Sequence, residues 1–245
     1  MSKTVILIPS RLSATRLPGK PLLKINGVSI ISHVVQKAKE ADIGEVYVAT
    51  EDKEIMDDVH SNGGQAILTG KNHETGTDRV YEAVKKLGKS DVGMVMNLQG
   101  DEPLINIEDI KNLHTQMIKS KSELGTLASK ILDKKFYEEE NVVKVITKES
   151  LDVSEFTEAL NFLRKSTNKI KNVYHHLGIY CYQLETLRNF VSFNQSQNEI
   201  KNKLEQIRAL DNNIKINVAL AKTPSIGVDT KDDFLAIKKI MEYKS

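Results

Sequence analysis

Cysteine is almost missing from this chain. Its one thiol, Cys181, excludes an intramolecular disulfide and any metal site built from several cysteines, and it fits a reducing compartment. Long apolar runs are missing too. The first, Val5 to Ile8, is too short for a signal peptide or a membrane span, and no other stretch approaches the length that crosses a bilayer. The chain therefore reads as soluble and cytoplasmic. Nor is one sign of charge in excess: 35 basic and 33 acidic residues leave a formal charge of +2, spread along the chain. That excludes a strong field for nucleic acid or a membrane surface, so any basic site must be local. There is no Pro, Gly or Ser block, no internal repeat and no low-complexity tract, and 245 residues read as one folded domain. Two glycine fingerprints are absent as well. Without Gly-x-Gly-x-x-Gly or Gly-x-x-x-x-Gly-Lys-Ser/Thr, neither a dinucleotide oxidoreductase nor a P-loop NTPase is indicated.

What is present alternates. Short β-branched runs at 4–8, 45–49, 65–68, 94–98, 126–131, 142–147, 177–182 and 214–219 read as strands. Amphipathic stretches at 30–40, 53–61, 78–87, 107–120 and 230–243 read as helices between them. This is the pattern of an α/β fold with a mainly parallel sheet flanked by helices. Residues 150–172 are polar, rich in Lys and Asn, and weakly periodic, which reads as a loop or flap. In open α/β sheets ligands bind beyond the carboxyl ends of the strands, so the segments just after each strand carry the functional question.

After the first strand comes PSRLSATRLPGKP, residues 9–21, with two arginines, a lysine, three hydroxyls and a glycine in one loop. Guanidinium forks, an ammonium and backbone N–H groups can surround a polyphosphate; an ordinary solvated basic loop has the same composition. After the fourth strand, NLQGDEP at 97–103 lets Gly100 turn the chain and Pro103 end the strand, leaving Asp101 at a tip where magnesium could bind. An acidic turn reads the same way. Near the C-terminus, GVDTKDD at 227–233 places Thr230 and Asp233 as a helix-capping pair and leaves Asp229 spare, as a second carboxylate for the same ion. HETGTDR at 73–79 opens a helix with hydroxyls and free N–H groups, suited either to a cap or to a base or phosphate. HHLGIY at 175–180 reads first as packing or surface, and residues 203–208, KLEQIR, as a plain exposed helix face.

Taken together these segments resemble the CMP-Kdo synthetases, the 3-deoxy-manno-octulosonate cytidylyltransferases. The likeness rests on RLSATRLPGKP (11–21), TGTDR (75–79), NLQGDEP (97–103), NVVKV (141–145), HLGIY (176–180), LEQIRAL (204–210) and GVDT (227–230), seven motifs in the same order over nearly the whole chain. The resemblance implies a Rossmann-like nucleotidyltransferase sheet as one domain over residues 1–245, with a smaller sugar-binding and dimerisation portion inserted at about 126–210. It implies that Arg11 and Lys20 bind the CTP phosphates, that Ser13, Thr75, Thr77, Arg79 and Gln99 help to form the nucleotide pocket, and that Asp101 and Asp229 hold Mg2+. Arg11, Lys20, Asp101 and Asp229 would be the catalytic set. Gln99, Arg164, His176, Tyr180, Glu205 and Gln206 would face the acidic sugar Kdo. The family is commonly a homodimer, and its product feeds lipopolysaccharide assembly.

One segment departs from the family pattern. Where relatives read close to YFSR followed by prolines, this chain reads NFLRKST at 161–167, keeping Arg164 and losing the tyrosine and prolines. That keeps a related acidic sugar, 8-amino-Kdo or a sialic-acid-like one, as the alternative substrate. HLGIY and LEQIRAL argue against a sialic-acid enzyme, and retention of Asp101 and Asp229 argues against a non-catalytic nucleotide-binding regulator.

Overall fold

The structure is a computed structural model that describes residues 3–13, 16–167, 170–224 and 227–243. Part of the basic loop (Ala14 and Thr15) and part of the 150–172 stretch (Asn168 and Lys169) lie outside those residues. In chain order, the first elements are β1 (Lys3–Ser10), a 3-10 turn (Lys20–Leu22), β2 (Lys24–Ile25), β3 (Val28–Ser29), α1 (Ile30–Glu40), β4 (Glu45–Thr50) and α2 (Lys53–Ser61). There follow β5 (Ala66–Leu68), α3 (Gly76–Leu87), β6 (Val92–Asn97), α4 (Ile107–Ser120), β7 (Leu124–Ser129), a 3-10 turn (Lys134–Tyr137), β8 (Lys144–Thr147) and β9 (Phe156–Leu163). The last are β10 (Val173–Gln183), α5 (Leu184–Ser192), α6 (Gln197–Asn202), α7 (Ile207–Asp211), β11 (Ile216–Leu220) and α8 (Lys231–Tyr243). Contacts group these into two compact units, Met1–Ile107 with Ser225–Ser245, and Glu108–Pro224.

In the first unit four strands run parallel in the order β5-β4-β1-β6. A strand flanked on both edges and covered on both faces must be apolar throughout, and Val5 to Ile8 are accordingly no more than 1% exposed. Such burial stabilises by roughly 1.5–3 kcal/mol per side chain. Helix α1 begins where the Ser29 side chain accepts from Ser32 N, and it turns Ile30, Ile31, Val34, Val35 and Ala38 inward. After its excursion through the second unit the chain returns, and Val228 and Ile237 join Ile25 and Ile30 in one buried cluster. The apolar side of α8 is used there, which fixes the residues just before it.

The second unit is built differently. Its strands follow the order β10-β7-β11-β9-β8, and β8 also pairs with the first residues of β10, so the five close on themselves. Only β7 and β11 run parallel; the other pairings are antiparallel. Strand β9 corrects the reading of 150–172 as a loop. Its inward side chains begin with Thr157 and Ala159, small or polar, and a register shift opposite Ile146 and Thr147 breaks the alternation before Phe162. The strand is held by pairing with β8 and β11 rather than by a hydrophobic pattern. Residues 203–208 are corrected too: Lys203 is the left-handed C-cap of α6, and Leu204, Gln206, Ile207 and Arg208 are buried, so no exposed helix face exists there. Among the described residues no helix is long and apolar enough to cross a membrane.

Candidate active site

The carboxyl ends of β1 and β6 and the N-terminus of α3 border a cleft of about 340 Å³ in the first unit. Its wall includes Arg11, Arg16, Lys20, Thr75, Arg79, Gln99, Asp101 and Asp229. The loop after β1 is closed by Gly19 N donating to Leu12 O (3.1 Å) and anchored by Leu12 N donating to Asp52 Oδ2 (2.7 Å). Gly19 has φ +70°, a left-handed conformation that a side chain would strain, and it opens the 3-10 turn that starts at Lys20. This turn aims the lysine into the cleft. On the opposite side Gly100 permits a close approach: a Cβ there would lie 3.1 Å from Pro9 O and 3.1 Å from Ile31 Cδ1. A side chain there would have to push Pro9 O and Ile31 back by a few tenths of an ångström, so glycine lets the turn that carries Asp101 sit this tightly against the end of β1.

Asp229 arrives from the far end of the sequence. Val228 N donates to Asp101 O (2.9 Å), which lays the segment before α8 along the β6 turn. The capping pair read from the sequence is there: Asp233 N donates to Thr230 Oγ1 (3.2 Å), and the Asp233 carboxylate accepts from Thr230 N (2.8 Å) and Asp229 N (3.1 Å). Burial raises the Asp233 carboxyl, but these hydrogen bonds outweigh it and hold its pKa down. The Asp229 carboxylate is left out of the cap. Its Oδ1 accepts from Lys20 Nζ (3.3 Å) and its Oδ2 pairs with Arg16 Nη1 (3.2 Å), while Asp101 Oδ2 accepts from the same Lys20 Nζ at 2.6 Å. Two carboxylates therefore converge on one cationic position.

That position suits a hard divalent cation. Among the described residues no group of three or more His, Cys, Asp or Glu side chains converges, so an ion between Asp101 and Asp229 would take its other ligands from phosphate and water. Magnesium binds in this manner. Arg16, His73 and Glu74 are charged or polar wall residues that sequence reasoning left out of the site set, although Arg16 stands in the same RLSATRLPGKP motif as Arg11 and Lys20.

Not every expected nucleotide residue is equally placed. Thr75 lines the cleft as N-cap of α3, in a reciprocal capping box with Asp78. Arg79 reaches the wall, yet its guanidinium donates to Glu51 (2.5 Å), Thr69 Oγ1 (2.7 Å) and Gly70 O (3.2 Å), and the side chain is buried. It orders the loop over the cleft. Thr77 is buried and Ser13 exposed, and neither is part of the wall.

The residues expected on the sugar side, Gln99 apart, lie in the second unit and cluster there. The His176 ring stands edge-on to Phe162 (5.0 Å) and 5.5 Å from Tyr180. Thr126 Oγ1 lies 3.0 Å from His176 Nε2 and donates to Ile179 O (2.7 Å), bridging the irregularity in β10 between Leu177 and Tyr180. The hydroxyl has one proton, and with that proton on Ile179 O the Nε2–H of His176 must be the donor to it. Burial pushes the His176 imidazole down to about 3 and the Tyr180 hydroxyl well above its ordinary value; Glu205 acts on Tyr180 in the same sense. Arg164 is engaged by backbone: its Nε, Nη1 and Nη2 donate to Asn202 O (2.7 Å), Glu140 O (3.1 Å) and Lys203 O (2.7 Å). Gln206 is buried at the N-cap of α7.

The chain is similar to known cytidylyltransferases. The cytidylyltransferase family profile matches residues 5–216. A 3-deoxy-manno-octulosonate cytidylyltransferase of Thermodesulfovibrio yellowstonii is 40% identical over 253 residues, covering 99% of this chain and 99% of the relative. One from Afipia carboxidovorans is 37% identical over 243 residues, covering 97% and 96%. Among solved structures, a CMP:2-keto-3-deoxy-manno-octonic acid synthetase complexed with CTP superposes with a TM-score of 0.89 at 34% identity over the full length of both chains. The chain belongs to the cytidylyltransferase family, in its 3-deoxy-manno-octulosonate cytidylyltransferase branch.

Proposed function

We propose that this protein transfers CMP from CTP to 3-deoxy-D-manno-octulosonate, releasing pyrophosphate. The observation that carries the reading is the convergence of Asp101 and Asp229 on the Lys20 ammonium, beside Arg11 and Arg16, in a cleft at the carboxyl ends of parallel strands. In the reaction the anomeric hydroxyl oxygen of the sugar bonds to the α-phosphorus and gives up its proton to water, and the bond from that phosphorus to the β-phosphate bridging oxygen breaks so that pyrophosphate leaves. No covalent enzyme intermediate is needed. Arg11 and Lys20 would bind the triphosphate and neutralise charge on the departing pyrophosphate. A Mg2+ held by Asp101 and Asp229, when bound, would supply further charge neutralisation at the phosphate oxygens. Thr75 and the N–H groups at the start of α3 would face the nucleotide, with Arg79 holding their loop through Glu51. Rate would come from positioning and fixed charge.

For the sugar, the reading takes Gln99, His176, Tyr180, Glu205 and Gln206 as hydrogen-bonding groups, and Arg164 as the cation nearest the sugar carboxylate. The reading includes a cytoplasmic homodimer, which light scattering of the purified protein checks. Pyrophosphate release from CTP and Mg2+ is the direct test, with Kdo, 8-amino-Kdo or a sialic acid as acceptor and with no-sugar and no-metal controls. Release with Kdo that needs the metal supports the proposal. Release only with another acceptor changes the sugar and keeps the chemistry, and no release with any of the three refutes it.

A further inference from the structure

We infer that the Lys20 ammonium is a tethered stand-in for the divalent cation, held between Asp101 and Asp229 until a triphosphate draws it away, so that nucleotide and metal are accepted together. The inference rests on the metal reading of that aspartate pair. Lys20 Nζ lies 2.6 Å from Asp101 Oδ2 and 3.3 Å from Asp229 Oδ1, and the lysine side chain is only 13% exposed. Magnesium needs oxygen ligands at about 2.0–2.1 Å in a near-ideal octahedron. An ammonium so close to Asp101 Oδ2 fills the space that an ion on the same oxygens would require, so one cation excludes the other.

The charge balance points the same way. Lys20 and Arg16 together neutralise the two carboxylates. A dication arriving alone therefore meets two resident cations and no net attraction. A triphosphate reverses this, because it adds several negative charges to the wall and offers the ammonium new acceptors. The base of the lysine is fixed by the turn that Gly19 opens and by the buried Pro21 next to it, whereas its four-carbon stem is flexible. The head can change partners while the backbone stays. Coupling of this kind is reciprocal: nucleotide that raises metal affinity is itself bound more tightly by the same factor when metal is present.

The test uses Mn2+ as an oxygen-seeking probe, with free Mn2+ counted by electron paramagnetic resonance, on the full chain without any sugar, and each CTP titration is referred to the same Mn2+ and CTP mixture without protein, because CTP itself binds the ion. Wild type, Lys20→Met, Asp101→Asn and the double variant are each titrated with and without CTP. Wild type should bind Mn2+ weakly alone and about tenfold or more tightly with CTP, within the usual range for coupled sites. Lys20→Met should bind Mn2+ alone about tenfold more tightly than wild type, with much of the CTP dependence gone. Adding Asp101→Asn should remove that gain. If Lys20→Met binds Mn2+ alone no better than wild type while Asp101→Asn still abolishes binding, the aspartates hold metal and the stand-in role of Lys20 is overturned. If Asp101→Asn leaves Mn2+ binding intact in both backgrounds, the metal reading itself fails and takes the inference with it. Lys20→Arg keeps a cation and should retain the wild-type pattern. Thermal melting supplies a readout that survives a loss of stability: Mn2+ without nucleotide should raise the melting temperature of Lys20→Met, or of Lys20→Gln, more than that of wild type, and equal shifts would count against the role.

Discussion

Asp101 is where a one-atom change is most informative. Asp101→Asn keeps volume and removes charge from the oxygen that accepts from Lys20 at 2.6 Å. Turnover should fall on the order of a hundredfold or more, as when a fixed charge contact is removed from a transition state, with the fold retained by circular dichroism. Unchanged kcat would end the metal assignment. His176 makes a prediction of a different kind. Its imidazole stays neutral in the fold down to about pH 3, against 6.5 for a free histidine, because burial disfavours the charged form. Between those values the unfolded chain takes up a proton that the fold refuses, so stability declines as pH falls through this window, by up to about 1.4 kcal/mol per pH unit from this residue, and is unaffected above it. Burial lowers His114 and His175 in the same direction. Urea unfolding at pH 7 and pH 5 should show the loss, and His176→Gln should flatten it; the same slope in the variant would show that His176 is not responsible. Glu82 titrates in a lower, partly overlapping window: burial raises its carboxyl, but hydrogen bonds from Lys86, Gly70 N and His73 bring it down to about 2, so its contribution is lost only as pH falls from about 4.5 toward 2. The side chains of this site were legible in the sequence where they share a loop, as Arg11 and Lys20 do. The commitment of Arg79 to Glu51 was not, since Glu51 lies at the end of β4 and only the parallel pairing of β1 with β4 brings it near.

The helical connection from α6 to α7 is held by a buried ion pair. Arg208 donates to both carboxylate oxygens of Glu199, at 2.8 Å and 2.6 Å, and its guanidinium lies 4.8 Å from the centre of the Phe190 ring. Both side chains are under 5% exposed. Removing one partner strands the other in a dry site, so Arg208→Ala should cost about 3–5 kcal/mol in urea unfolding. Arg208→Met combined with Glu199→Leu should cost less than the two single changes added together, because neither charge is then left unpaired. An additive double variant would mean that the pair contributes nothing as a pair. The turn between these partners carries Glu205 and Gln206, and Arg164 binds the carbonyls just before it. In LEQIRAL the buried residues of 204–209 mix Leu204, Ile207 and Ala209 with an amide and a guanidinium, which blurs the apolar stripe. Periodicity finds helices whose inner face is hydrophobic, as in α1, α2 and α4; it misses those whose inner face is a salt bridge, and it misses β9, whose inner face starts with Thr157 and Ala159.

Across the whole chain, ligand binding and stability are linked. CTP with Mg2+ at a hundred times its dissociation constant should stabilise the fold by about 2.7 kcal/mol, read as a rise in melting temperature. In Asp101→Asn the magnesium-dependent part of that rise should vanish. The alternation of strands and helices announced the parallel half of the molecule, because β1, β4 and β6 are buried by crossover helices and so are continuously apolar. The closed circuit of β7 to β11 could not be read that way, since its pairings are set by register and by the bulge in β10 rather than by composition. A chain cut after Pro224 should lose the cleft altogether: Ile25 and Ile30 lose Val228 and Ile237, and Asp101 O loses its donor. Such a fragment should bind an exposed-surface dye and show no CTP-dependent rise in melting temperature; a normal rise would show that the returning segment is dispensable.

That return also has a meaning in time. Lys20 and Asp229 are 209 positions apart, and a ribosome that has released β1, the basic loop and Asp101 has made a half-site with a single carboxylate. The segment that brings the other is translated only after the whole second unit has been made. A nascent chain that has not yet reached Asp229 therefore lacks the second carboxylate, and the metal position is completed only when that segment folds back.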